Sequence, residues 1–307
     1  MKRFLVTGAS GLLGLNMGLQ VSGSIDMIGQ VHSNRLQNVP FQQMVVDLAD
    51  VKQTQRMMEE AHPDVLIHCA AMANVDECEQ KPELAQRINA EVPSQLAELC
   101  KKMGTYMVHI STDAVFDGKN GPYTENDLPC PINQYALTKL AGEHEVLMKN
   151  PAAVVLRVNF FGWSLSGKRS LAEWFVKNLQ VGQTVNGFMD VQFCPMMVND
   201  LVDVIMATTE RSLSGLYHAV GWDSMTKFAF GYELARRFGY DHTLIKPVSW
   251  HDGDLTAARS PDLRLKTVKL ASAIGKPLPG WQDGVERFYQ QAQDGYPERV
   301  LGLMQSS

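Results

Sequence analysis

Phe4-Leu5-Val6-Thr7-Gly8-Ala9-Ser10-Gly11-Leu12-Leu13-Gly14 is the stretch on which the fold turns. An apolar run of β formers meets glycines three residues apart, and Leu13, Leu15 and Met17 continue it. That order reads as a buried strand turning tightly into a helix. Glycines let a backbone approach a pyrophosphate closely, and the free N–H groups and dipole of the following helix favour negative charge. The spacing is G-x-x-G-x-x-G, not the commoner G-x-G-x-x-G, and many tight turns use glycine, so the triplet is weak evidence alone. Lys2-Arg3 ahead of the uncharged residues Phe4 to Ile25 also has the outline of a secretory signal. Gly8, Gly11, Gly14 and Asn16 interrupt that apolar run, and the chain continues as a βαβ unit, which favours the strand–turn–helix.

Outward from this turn, strands and helices alternate. Ile25 to Val31 and Phe41 to Val46 read as the second and third strands, and Asp50 as the cap of a helix running to about His62. Pro63 to Ala71 reads as a fourth strand ending in small residues. Pro82 to Met103 follows as a long amphipathic helix, and Tyr106 to Ser111 as a fifth strand. A loop from Thr112 to Asn133 precedes a helix over Gln134 to Lys149, and Ala152 to Asn159 is the sixth strand. Such alternation implies an α/β fold, a Rossmann-type doubly wound parallel sheet with ligands outside the carboxyl ends of its strands. Beyond residue 160 the pattern loosens, with helices near 168–180, 199–212 and 224–239. Residues 1–160 are therefore expected to form the dinucleotide-binding domain. Residues 161–307 are expected to form mainly a smaller C-terminal substrate-binding lobe, partly interleaved with the first.

The 307 residues are 45% hydrophobic and 20% charged, an ordinary globular composition. A net charge of −5 without a basic cluster argues against nucleic acid or an anionic membrane as the main partner. Cys69, Cys78, Cys100, Cys130 and Cys194 are an odd count without C-x-x-C spacing, as expected of reduced thiols in a cytoplasmic protein. No apolar run is long and clean enough to span a bilayer, and the carboxylates are too dispersed to suggest a metal site. A small-molecule substrate is the expected partner; association as a homodimer stays open.

The second strand ends in Gln30-Val31-His32-Ser33-Asn34-Arg35, without the carboxylate that a NAD site uses for the ribose hydroxyls. Ser33 and Arg35 suit a 2′-phosphate, which points to NADP(H) ahead of NAD(H). Asp47, ending the third strand, is placed either to accept from an adenine amino group or to cap the next helix. Tyr135 and Lys139 lie four apart in a helical pattern and so project from one face. A tyrosine pKa near 10 is too high for ready proton exchange at neutrality, and a nearby ammonium together with a positively charged nicotinamide is expected to lower it. The pair can then act as general acid for a carbonyl oxygen that receives a hydride, or as base in reverse. Thr112, just past the fifth strand, can hold the same oxygen.

These residues carry a resemblance. Thr7 to Gly14, Ala70-Ala71, Ser111-Thr112-Asp113 and Tyr135-x-x-x-Lys139 resemble the extended short-chain dehydrogenases/reductases. More narrowly, the stretches Ile110 to Gly118 and Tyr135 to Glu143 resemble the dTDP-4-dehydrorhamnose reductases; Val75-Asp76-x-Cys78-Glu79 and the segment from Arg259-Ser260-Pro261 to Lys269-Leu270 also fit. The resemblance runs over nearly the whole chain. It implies an NADP(H)-dependent reductase of a nucleotide-activated keto sugar, with Thr112, Tyr135 and Lys139 as catalytic triad and Tyr135 as general acid. By the same resemblance, cofactor contacts carry over to Gly8, Ser10, Gly11, Leu12, Leu13, Gly14, Asp47, Leu48, Ala70, Ala71 and Asn89, joined by Tyr135 and Lys139. Val158-Asn159-Phe160 would flank the nicotinamide.

Three departures lie near the expected substrate: Ala114 replaces a usual tyrosine, Met196 a common threonine, and Ser260 separates an arginine–proline pair. Two other readings therefore accompany the first. One is an epimerase or dehydratase of a nucleotide sugar, which would use the same trio. The other is a non-catalytic regulatory subunit like that of methionine adenosyltransferase. His68, within a core strand, is expected to be a hydrogen-bonded structural histidine. The paired methionines Met57-Met58 and Met196-Met197 are expected to fill the core.

Overall fold

In the computed structural model, which describes residues 1–33, 35–252 and 257–304, the opening stretch forms strand β1 (Arg3–Thr7) followed by helix α1 (Leu12–Val21). Asn34 of the second-strand terminus lies outside the described residues. The strands β2 (Asp26–Val31), β3 (Gln42–Val45), β4 (Val65–His68), β5 (Tyr106–Thr112), β6 (Val154–Val158) and β7 (Gly215–Ala219) complete one parallel sheet. Its order is β7-β6-β5-β4-β1-β2-β3, a Rossmann arrangement.

Alternate residues of each strand face opposite helical layers. Leu5, Leu66, Met107 and Val155 pack with Met57 and Met58 of α2 (Val51–Ala61). Val6, Ile67, Val108 and Leu156 pack on the other side with Leu13, Leu15 and Met17 of α1. Burial on both faces explains why these strands read as continuous apolar runs.

The sheet contains a seventh strand that the sequence reading did not find. Gly215–Ala219 pairs in parallel with β6, Leu216 opposite Val155 and His218 opposite Arg157. It is short and half polar, and its place is set by a partner about sixty residues earlier, so local pattern does not reveal it.

The expected helix over Pro82 to Met103 is also more than one regular helix. Between α3 (Val75–Gln80) with α4 (Pro82–Gln86) and α5 (Val92–Met103) lies a five-residue π turn, Arg87–Glu91. Pro93 has no N–H to return to the carbonyl of Asn89, which accounts for the wider turn there. Helix α6 (Gln134–Lys149) comes so close at this point that a side chain at Gly142 would strike the Asn89 carbonyl. Beyond β6, helices α7 (Leu171–Gln180), α8 (Val198–Glu210) and α9 (Lys227–Phe238) pack among small strand pairs. Met196 and Met197 are fully buried among them. No helix among the described residues is long and apolar enough to cross a membrane.

Gly14 shows why the turn needs its third glycine. A Cβ there would lie 2.5 Å from the Gly8 carbonyl oxygen and 2.9 Å from the Ala9 Cα, both backbone atoms. Gly14→Ala should destabilise the chain by about 1–3 kcal/mol through overpacking, seen as a lower urea midpoint without added nucleotide. An unchanged midpoint would mean that the turn has room that this geometry denies.

Candidate active site

The glycine turn lies at the carboxyl end of β1. Gly8 adopts a left-handed φ of 67°, and its N–H donates to the Gln30 side chain at 2.9 Å while Ala9 donates to the Gln30 carbonyl at 2.8 Å. A Cβ on Gly8 would sit 2.9 Å from the Ala70 backbone, so β1 and the end of β4 meet closely. Gly11 is the N-cap of α1 and supplies no capping side chain, and the first turn carries no acidic residue. The leading N–H groups of α1 therefore suit an outside acceptor, which fits the pyrophosphate of a dinucleotide. Ser10, Gly11 and Leu12 are half-buried beside this end, whereas Leu13 and Gly14 are buried.

The other expected cofactor residues fall around the same rim. Ser33 and Arg35 are exposed just past β2. Asp47 is half-buried after β3 and accepts the Ala49 N–H at 2.9 Å; Asp50 caps α2 by accepting from Lys52 and Gln53. Leu48 is buried, and its carbonyl accepts from Thr54 at 3.1 Å. Ala70 is half-buried and Ala71 exposed. Asn89 is committed to the protein. Its Oδ1 accepts from Met72 N at 2.9 Å, and its Nδ2 donates to the Met72 carbonyl at 3.0 Å and the Thr138 hydroxyl at 3.1 Å. It thereby shapes the loop after β4.

Thr112, Tyr135 and Lys139 gather at the end of β5. The Asn133 side chain caps α6 by accepting from Ala136 at 2.8 Å, and Glu79 accepts from Gln134 N at 2.7 Å. These bonds fix the first turn, which carries Tyr135. Thr112 donates to Asp113 Oδ1 at 3.2 Å and accepts from Ala114 N at 3.2 Å. Asn159 in turn donates to Asp113 Oδ2 at 2.5 Å. Lys139 is buried one helical turn beyond Tyr135, with Nζ donating to the Ile110 carbonyl at 2.7 Å.

Burial governs the electrostatics of the trio. Burial pushes the Tyr135 phenol up to about 12, with the nearby Thr112 opposing the rise. The ammonium is tied to Ile110, so desolvation prevails at the phenol. Tyr135 is accordingly protonated at neutral pH, the form a proton donor needs. Burial lowers Lys139 to about 8, with Glu143 opposing the fall. Burial also raises Asp113 to about 6.

Below the site lies a polar row that the sequence reading did not assemble. His68 shares a 2.7 Å hydrogen bond through Nδ1 with the Thr7 hydroxyl and stacks at 5.3 Å on His109 of the adjacent strand. Burial holds His68 at about 3 and His109 well below its ordinary value, so both are neutral parts of the core. Farther along, Arg157 and Glu143 form a buried ion pair at 2.7 Å, joined by the Ser111 hydroxyl. Glu143 lies one turn past Lys139 on α6, a spacing that could have marked it as a candidate. Arg157 left no such signal.

Comparison with known proteins places this geometry among relatives. The family model described as the RmlD substrate binding domain matches residues 1–294. The probable low-salt glycan biosynthesis reductase Agl14 of Haloferax volcanii is 33% identical over 285 residues, covering 91% of this chain and 94% of that one. The methionine adenosyltransferase 2 subunit beta of Rattus norvegicus is 30% identical over 287 residues, covering 91% and 84%. The crystal structure of dTDP-4-dehydrorhamnose reductase from Bacillus anthracis in complex with NADP superposes with a TM-score of 0.84 at 26% identity, covering 94% and 99%.

Proposed function

Because the chain belongs to the RmlD substrate binding domain family, we propose that it is an NADP(H)-dependent reductase of a nucleotide-activated keto sugar, with dTDP-4-dehydrorhamnose as the substrate to test first. The observation that carries this reading is the meeting of Thr112, Tyr135 and Lys139 at the end of β5, on the same carboxyl edge of the sheet as the uncapped start of α1. A bound NADP(H) would supply the hydride. Gly8, Ser10, Gly11, Leu12, Leu13 and Gly14 would hold its pyrophosphate, and Ser33 with Arg35 the 2′-phosphate. Asp47, Leu48, Ala70 and Ala71 would line the adenosine side, and Tyr135 with Lys139 the nicotinamide ribose.

Tyr135 would donate its phenolic proton to the substrate's carbonyl oxygen. Thr112 steadies that oxygen once its hydroxyl turns from Asp113, and Lys139 holds the carboxyl end of β5 against α6. The five unpaired thiols accord with a cytoplasmic protein. A non-catalytic subunit is the second reading, favoured by the likeness to methionine adenosyltransferase 2 subunit beta. A purely structural role places no demand on the trio, which weighs toward the enzyme.

The test is titration of the purified chain with NADPH and NADH, followed by nicotinamide fluorescence, and then addition of dTDP-4-dehydrorhamnose. NADPH should bind about tenfold or more tightly than NADH, and Arg35→Ala should remove most of that preference by deleting a charge-assisted bond. The sugar should oxidise the bound NADPH. Cofactor binding without oxidation by this sugar or other keto sugars would transfer the weight to the non-catalytic reading.

A further inference from the structure

Neighbouring parallel strands need a crossover to carry the chain back, and that crossover is usually a helix. Between β2 and β3 the crossover is residues 32–41, and it holds no helix among the described residues. Its main-chain N–H and C=O groups therefore need partners from elsewhere. The Gln43 side chain, on β3 opposite Gly29, takes both polar groups of Leu36. Its Oε1 accepts from Leu36 N at 2.7 Å, and its Nε2 donates to the Leu36 carbonyl at 2.9 Å. The next amide, Gln37 N, donates to the Leu303 carbonyl at 2.9 Å. Leu36 and Leu303 are buried in one apolar cluster with Val300. Leu303 follows the helix Tyr296–Leu301, whose Tyr296 hydroxyl donates to Asn16 of α1 at 2.8 Å. The crossover is thus fastened to β3 by one side chain and, through that helix, to the element that follows the glycine turn.

These fastenings begin one residue past Arg35. Arg35 and Ser33 are both exposed, so neither is held in place by its own burial. A guanidinium meets a phosphate as a planar fork, and its backbone must be in place for both bonds to form. A backbone already held loses little conformational entropy when the ligand arrives, whereas a loose one is ordered at that moment and binding weakens. NADH lacks the 2′-phosphate, so this difference falls on NADPH.

We propose that Gln43, helped by the Leu303 carbonyl, is a positioning residue for Arg35 and so sets part of the preference for NADPH over NADH without touching the phosphate. The proposal rests on the NADP(H) reading and extends it to residues outside the cofactor site. Nicotinamide fluorescence titrations of the full chain with each cofactor test it. Gln43→Met should lower NADPH affinity by about tenfold, the effect of ordering roughly one residue, and leave NADH affinity within about twofold. Gln43→Leu takes its place if that variant does not fold. Exchange of the Leu36 amide, followed by NMR without cofactor, should accelerate about tenfold or more in the variant. In a double-mutant cycle, adding Gln43→Met to Arg35→Ala should lower the preference no further than Arg35→Ala alone, because the two act through one contact. Equal losses of NADPH and NADH affinity, additive losses in the cycle, or an unaltered Leu36 amide overturns the proposal. A preference lost in Arg35→Ala but intact in Gln43→Met would defeat the latch and keep the NADP(H) reading. No preference in the wild-type chain would defeat both. A preference that depends on both residues, in a chain that reduces no keto sugar, would keep the latch and defeat the reductase reading.

Discussion

Tyr135→Phe should lower turnover of the keto sugar by about a hundredfold or more while leaving NADPH affinity near normal. The change removes one oxygen, the atom that would deliver the proton in the proposed reaction, and general acid catalysis is typically worth about 10²–10⁴ in rate. A hundredfold loss corresponds to roughly 2.7 kcal/mol of transition-state stabilisation. Burial already places the phenol at about 12, so the wild-type group is protonated throughout the neutral range, and the loss should show little pH dependence between about 6 and 8. Single-turnover oxidation of bound NADPH, followed by absorbance, separates this step from binding and release. Unchanged turnover would remove Tyr135 from the chemistry.

The second large effect concerns stability. Glu143 and Arg157 are each 2% exposed, and the pair is joined at 3.0 and 2.7 Å through Arg157 Nε and Nη2. The Arg157 guanidinium also lies 5.0 Å from the centroid of the Phe116 ring. Glu143→Leu leaves this charge in the core without its counter-ion and should cost about 3–5 kcal/mol in urea unfolding. Glu143→Leu combined with Arg157→Leu removes both charges and should recover most of that loss, because replacing a whole buried pair by apolar side chains is often neutral. A cost below about 1 kcal/mol in the single variant would show that water or another group reaches Arg157. Glu143 also opposes the fall of the Lys139 pKa, so the single variant should extend the neutral form of that lysine to lower pH.

The candidate site was legible in part, and the legible part has a common physical character. The opening glycine turn and the boundaries of α6 depend on backbone conformations and caps formed within a few residues. Asn133 accepts from Ala136, and Gly8 needs a left-handed φ. Tyr135 and Lys139 project from one face because helical geometry demands it. Spacing along a helix does not say where a lysine head will be tethered. Lys139 bonds to Ile110, on another element.

The sequence by itself determined the alternation of elements, the parallel sheet with its opening glycine turn and the shared helix face of Tyr135 and Lys139, since each follows from short-range periodicity, capping and glycine placement. Only the tertiary structure decided that Gly215–Ala219 joins the sheet and that Glu143 finds Arg157. Those pairings join residues far apart in sequence, or on different elements, through desolvation and packing. Such forces act on atoms that come together only after the chain has folded, and they leave no periodic trace along it.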